Sequence, residues 1–320
     1  MTKTAGVNSS WWPVALSANV TGNAPTRCRL FGEDYVLFRD KTGVARALTD
    51  RCAHRRAPLS DGKITPEGWV ECPYHGWRFD GQDGRCRSIP NLSADEPVPA
   101  GYGVDAFATR ELGGFVFVAI PPTAGAVAPL PALDNAGNST SHQGSAFLAT
   151  PYRALMAALL DAPSLMLDIR GFQVVDDNFY GEPYRDNAGH FITERAADWT
   201  ALARKRKKVV PDYPLQLRTE TLPGDSITHL ALHTDAFAPV LNATLAVTPV
   251  SDCVTAVHWQ ATVHKPEDPA FTPAVHRTLE KLDFTVPDAI DARTLLARHP
   301  YASSLWQDTL PGLLLARSSR

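Results

Sequence analysis

The sequence predicts a two-domain protein of the α+β class, with a β-rich N-terminal domain and a second domain in which helices flank a sheet. Three observations lead there. At 320 residues the chain is long enough to bury two cores. Its first third consists of short apolar runs punctuated by Gly, Asp and Pro. The remainder places helix-forming stretches at both ends of a block that alternates as strands do. The expected division is 1–121 for the first domain, 122–145 for a linker and 146–320 for the second.

The elements follow in order. Tyr35-Val-Leu-Phe38 and Gly114-Phe-Val-Phe-Val-Ala-Ile120 are strand-length apolar runs, the second stopped by Pro121-Pro122. From there to Gly144 the chain is rich in Pro, Ala, Gly, Asn and Ser without periodicity, which predicts a linker. Tyr152 to Leu160 is dense in Ala, Leu and Met and predicts a helix. Between Ile192 and Val263 lie strands, among them Ile227-Thr-His-Leu-Ala-Leu-His233, whose alternation puts His229 and His233 on one face. The tail predicts helices at about 274–282 and 289–298.

Composition narrows the function. A formal net charge of −3 argues against a dedicated nucleic-acid binder. No apolar run approaches the roughly 18 residues of a membrane span, and the first ten residues lack the form of a secretory leader. Five cysteines, an odd number in a chain of this size, predict a reducing compartment, and a cytoplasmic location is expected.

The strongest chemical signal is Cys52-Ala-His54, then seventeen residues, then Cys72-Pro-Tyr-His75. Two thiols and two imidazoles in paired loops make a metal site. Zinc accepts such a set, but zinc fingers usually keep Cys with Cys and His with His. One of each per loop suits a [2Fe–2S] centre in which one iron takes both thiolates and the other both imidazoles. The stretches Cys52-Ala-His-Arg-Arg-Ala-Pro-Leu-Ser60 and Cys72-Pro-Tyr-His-Gly-Trp-Arg-Phe-Asp80 closely resemble the cluster loops of Rieske oxygenases. Gly76 and Gly81 are expected where backbone amides approach sulfur, and Arg56 stands where that family usually has glycine. Neither loop carries the extra cysteine of the cytochrome-complex Rieske proteins. Cys28, Cys86 and Cys253 read as packing or near-surface thiols.

The resemblance extends further. Ser10-Trp-Trp-Pro-Val-Ala15 looks like the opening of single-component-type oxygenase subunits such as vanillate and dicamba O-demethylases. It implies a second domain of helix-grip, START-like fold holding a mononuclear iron(II) by two histidines and one carboxylate. In that family a helix carries Asn-x-x-Asp-x-x-His-x-x-x-x-His, and a late helix supplies the carboxylate. Here the matching residues are Ala158, Asp161, Ser164 and Ile169, so Asp161 keeps the bridging position while both histidines are gone. Asp283 falls on the carboxylate ligand, in Leu282-Asp-Phe-Thr-Val-Pro-Asp288, read as helix. The mononuclear iron is therefore expected to be absent. Rebuilding is conceivable through Asp161, Asp168 and Asp283 with magnesium or manganese, through His229 and His233, or through His190 in a turn-rich segment. His258 either faces substrate or is an ordinary strand histidine with a satisfied ring.

The resemblance also implies a head-to-tail trimer with a ferredoxin or reductase as electron donor. With the second site degenerate, a mixed oligomer with an iron-bearing oxygenase paralogue is expected, this chain's cluster feeding the neighbour's iron. The alternatives are a self-sufficient monooxygenase or demethylase with unusual ligands, and a redox-sensing or small-molecule-binding protein. The basic run Arg204-Lys-Arg-Lys-Lys208 is either a solvated face or a docking patch for an acidic donor.

Overall fold

The computed structural model describes residues 11–93, 96–120, 139–161, 168–169, 172–199, 213–222, 226–264 and 284–285. By its contacts the chain divides into two units, Ser9–Leu130 with Val250–Asp252, and Met1–Asn8 with Pro131–Pro249 and Cys253–Arg320.

Among its described residues the first unit is built on β-strands, with two short 3-10 turns at Ser17–Asn19 and Leu59–Asp61. It contains β1 (Trp11–Leu16), β2 (Thr26–Leu30), β3 (Glu33–Arg39), β4 (Ala45–Thr49), β5 (Lys63–Ile64), β6 (Val70–Glu71), β7 (Arg78–Phe79), β8 (Cys86–Ser88), β9 (Ala106–Phe107), β10 (Thr109–Leu112) and β11 (Phe115–Ala119). They form three antiparallel sheets in the orders β1-β11-β10, β2-β3-β4-β9 and β5-β6-β7-β8. The apolar run 115–119 is buried at every position, which is why it reads as a continuous stretch and not as an alternation. Val36, Phe38, Leu48, Leu59, Val70, Trp77 and Phe79 build a core that also takes in Cys52, Cys72 and Cys86.

The second unit contains β12 (Ser139–Leu148), α1 (Tyr152–Asp161), β13 (Asp168–Ile169), β14 (Phe172–Phe179), β15 (Tyr184–Arg185), β16 (Phe191–Trp199), β17 (Leu215–Leu222), β18 (Ile227–Thr234), β19 (Pro239–Pro249), β20 (Thr255–His264) and β21 (Phe284–Thr285). One antiparallel sheet runs β12-β20-β19-β18-β17-β16-β14, with β15 paired to β16, and β13 pairs with β21 apart from it. The helix expected at 152–160 and the strands expected between 192 and 263 are present. β12 starts at Ser139, within the stretch 122–145 expected as linker, and pairs along β20. Its stretch of Ser, Thr, His, Gln and Gly carries no apolar alternation. Gly144 lies opposite Trp259, and a Cβ there would come within 2.6 Å of the indole.

Register sorts the sheet into two faces. Leu217, Leu232, Leu241 and Val263 form one apolar cross-strand row, and Thr219, Leu230, Ala243 and Ala261 another on the same side. Thr255 shares that side by alternation with Val257 and Ala261, and its hydroxyl donates to the Thr150 carbonyl at 2.7 Å. The chain just ahead of α1 therefore lies at this face. The opposite face is polar and carries the row Glu220, His229, Thr244, Gln260 and Gln143. The predicted tail helices and the basic run 204–208 lie outside the described residues, except that Phe284–Thr285, within the expected late helix region, is strand.

Candidate metal centre

Two loops of the first unit are built alike. In one, the Cys52 N–H donates to the Ala57 carbonyl at 2.9 Å and the Arg56 N–H to the Cys52 carbonyl at 2.9 Å. In the other, the Cys72 N–H donates to the Trp77 carbonyl at 2.8 Å and the Gly76 N–H to the Cys72 carbonyl at 3.1 Å. Arg56 and Gly76 thus hold the same place, and both have positive φ, 59° and 68°. The second loop hangs between the paired strands β6 and β7. The first follows β4 and is anchored by Asp50, whose buried carboxylate accepts from the Ser60 N–H at 2.7 Å, the Ser60 hydroxyl at 2.6 Å and Arg27 Nε at 3.1 Å.

This twin geometry sorts the donors. Cys52 and Cys72 are buried, while His54 and His75 are exposed, their rings 4.6 Å apart. Trp77 stacks on His54 with centroids at 4.9 Å and planes 6° apart. Tyr74 lies against His75 at 3.9 Å. Burial, with the Cys72 thiol beside it, pushes the Cys52 thiol up to about 11. Burial, His75 and Arg55 hold the His54 imidazole below its usual range.

The donor chemistry discriminates between the two metals considered. No three of Cys52, His54, Cys72 and His75 have ligand atoms within 4.8 Å of one another. Tetrahedral zinc, with bonds of roughly 2.0–2.3 Å, would draw all four to within about 4 Å. Paired thiols inside and paired imidazoles outside instead fit a two-iron centre that takes one pair per iron.

Residues 10–108 match the family model described as "Rieske [2Fe-2S] domain". This chain thus contains a Rieske [2Fe-2S] domain in its first unit. Over 113 residues it is 42% identical to "Chlorophyllide a oxygenase, chloroplastic" of Chlamydomonas reinhardtii, a match covering 35% of this chain and 17% of that one. Over 111 residues it is 39% identical to "Aminopyrrolnitrin oxygenase PrnD" of Pseudomonas fluorescens, covering 33% and 30%. The matched part thus spans less than a third of either relative's length. Among solved structures, dicamba monooxygenase bound to dicamba superposes with a TM-score of 0.62 at 20% identity, covering 97% of this chain and 92% of that one. NdmB of Pseudomonas putida CBB5 superposes with 0.60 at 20%, covering 97% and 84%. The chain therefore has the two-part α+β fold seen in these structures, a Rieske β domain followed by a helix-grip unit.

In the second unit several positions differ from expectation. α1 ends at Asp161, and Asp168–Ile169 is a short strand. Asp168 pairs with Thr285 and Ile169 with Phe284, so Phe284–Thr285 is strand and not helix. Ser164 and Asp283 themselves lie outside the described residues. His229 and His233 do share a face, but it is the polar one, opposite the side where the chain enters α1. His229 Nδ1 lies 3.2 Å from the Thr244 hydroxyl, and burial holds its imidazole below its usual range. His258 is buried on that polar face with Nδ1 2.7 Å from the Ser145 hydroxyl. His190 is held in a turn by Asp186.

A Cβ at Gly81 would sit 2.6 Å from Arg46 and 2.7 Å from the Phe38 ring, so its smallness serves core packing. Sequence reasoning also missed Asp50. Its signal was faint, an acid two residues before the first ligand with Arg27 and Ser60 distant in sequence. Missed too was a cleft of about 740 Å³ beside the first loop, lined by Glu33, Arg51, Cys52, Arg56, Tyr102 and Asp105 among others. Among the described residues, no helix is long and apolar enough to cross a membrane.

Proposed function

We propose that this chain is an electron-carrying subunit of a Rieske oxygenase, with Cys52, His54, Cys72 and His75 holding its [2Fe–2S] cluster. The observation that carries the reading is the sorted twin loop: buried Cys52 and Cys72, exposed His54 and His75. When bound, such a cluster takes up and releases one electron at a time. The chain's own residues set the conditions for that. The cysteines sit within the apolar core of Val36, Phe38, Val70 and Phe79, which excludes water from the thiol side. The exposed imidazole edges form the surface at which an electron leaves. Trp77 fixes the orientation of the His54 ring by stacking on it.

The second unit supports the subunit role through its residues. Ser164 and Ile169 stand where the resemblance places two imidazoles, and neither offers iron(II) a nitrogen donor. On this reading the chain delivers electrons to the iron of an oxygenase paralogue in a mixed trimer or hexamer, fed by a ferredoxin or reductase in the cytoplasm. The test is metal analysis with reconstitution. About two irons per chain, both accompanied by acid-labile sulfide, are expected. Substrate oxidation should be absent with the chain alone and should rise when the paralogue is co-expressed. A third iron lost on Asp283→Ala, or turnover by the chain alone, would replace this reading with a self-sufficient monooxygenase.

A further inference from the structure

The hairpin between β15 and β16 carries a cluster that the cluster loops and the iron positions do not use. Its turn is tight. The Gly189 N–H donates to the Asp186 carbonyl at 3.0 Å, the Asp186 N–H to the His190 carbonyl at 3.1 Å, and Gly189 takes φ 85°. Asp186 Oδ1 accepts the backbone N–H of Ala188 and of His190, both at 2.9 Å. That leaves Oδ2 against His190 Nδ1, at 2.8 Å.

Register brings the third member. Ile192 pairs with Glu220 of β17, so His190, two residues earlier and on the same face, lies diagonal to Glu220. Glu220 Oε1 is 3.1 Å from the same His190 Nδ1. Glu220 Oε2 is drawn the other way, 3.6 Å from Arg218, whose closer partner is Glu194 at 2.8 Å. The three ligand atoms all lie within 4.8 Å of one another, and all three residues are half-buried.

As hydrogen bonding this arrangement is incomplete. One imidazole nitrogen can offer one proton, yet two carboxylate oxygens converge on it. Two carboxylates this close also repel. A metal ion between them removes both problems. Bonds of roughly 2.0–2.2 Å place neighbouring ligand atoms about 2.8–3.5 Å apart, the range of the 2.8 and 3.1 Å contacts.

We propose that Asp186 Oδ2, His190 Nδ1 and Glu220 Oε1 form a site for a divalent cation of the zinc class, with one position left open to water. One imidazole and two carboxylates suit zinc better than the all-oxygen shell calcium and magnesium prefer. The site lies on the polar face of the sheet, with His229 directly across from Glu220, and clips the β15–β16 hairpin to β17.

The test uses the full chain with its iron–sulfur content intact, dialysed against zinc in about hundredfold excess over protein. One zinc per chain beyond the cluster iron is expected, together with a raised melting temperature. Glu220→Gln and His190→Gln, each confirmed folded by its metal-free melting curve, should weaken zinc binding by at least about tenfold and abolish the thermal shift. Iron and sulfide content should not change in either variant, which separates this site from the cluster and from the proposed electron-transfer role. No added zinc in the parent chain, or zinc retained with parental affinity in both folded variants, would overturn the proposal.

Discussion

The two cluster loops share one hydrogen-bonding plan but meet its demands differently. Each turns back on its cysteine through a residue of positive φ, and each buries the cysteine while exposing the histidine. Gly76 fills the turn in the second loop at little conformational cost, whereas Arg56 does so in the first against the steric preference of an L-residue. The second loop is held by its flanking strand pair and by Glu71, which bonds Lys63 at 3.0 Å and Arg78 at 2.7 Å. The first lacks such a strand pair and leans on the buried Asp50. The difference teaches that the ligand geometry is common to both loops while its support is not, so substitutions should separate ligands from supports.

Ligand removal should show the largest effect, and it should be the same for both loops. Cys52→Ser and Cys72→Ser are each expected to yield protein without visible absorbance or acid-labile sulfide, because a hydroxyl does not replace a thiolate on iron. His54→Cys and His75→Cys should keep a cluster of lower potential with its pH dependence lost, read by redox titration. A cluster retained in full after either serine substitution would break the equivalence of the loops.

Support removal should then separate the loops. Asp50 is 3% exposed, and Asp50→Ala would leave the Ser60 N–H and hydroxyl without their acceptor and weaken the hold on Arg27. Loss of a buried, hydrogen-bonded carboxylate of this kind is expected to cost about 2–4 kcal/mol. Glu71→Ala removes a side chain that is itself more exposed, 13% against 1% for that of Asp50, and that pairs with exposed cations, so it should cost about 1 kcal/mol. Chemical denaturation of the two variants side by side checks the order. A larger loss in Glu71→Ala would mean the second loop is the more dependent on a side chain. Gly76→Ala falls between the two, at about 1–2 kcal/mol, since its Cβ would meet Pro90 Cγ at 3.0 Å in a positive-φ turn.

The contrast also shows what a sequence makes legible. Cys52, His54, Cys72 and His75 were readable because their ligand chemistry is local: each pair lies within four residues. The strand alternation of 227–233 told that His229 and His233 share a side, but which side carried α1 depended on contacts such as that of Thr255 with Thr150. Asp50 with Ser60 and Arg27, and Asp186 and His190 with Glu220, are joined by loop closure and strand register, which no local pattern records. β12 was hidden for another reason. It is the end strand of its sheet, paired only with β20, and it is rich in small and polar residues where an apolar alternation was sought.

Arg56→Gly is the smallest expected effect and the sharpest probe of the comparison. Two terms oppose each other. Relief of the left-handed backbone at φ 59° favours glycine by about 1 kcal/mol, while the freer unfolded chain disfavours it by about 0.5–1 kcal/mol. The net change should be a gain of between zero and about 0.5 kcal/mol. Charge gives a second readout. Arg56 is exposed in the cluster loop beside Arg55, so removing one guanidinium should stabilise the oxidised, more positive state relative to the reduced one and lower the midpoint potential slightly. It should also reduce the dependence of that potential on salt, because an exposed cation acts through screened solvent. A marked loss of stability in Arg56→Gly would show that the guanidinium itself braces the first loop. The two loops would then differ in a third support, alongside the strand pair and the buried acid.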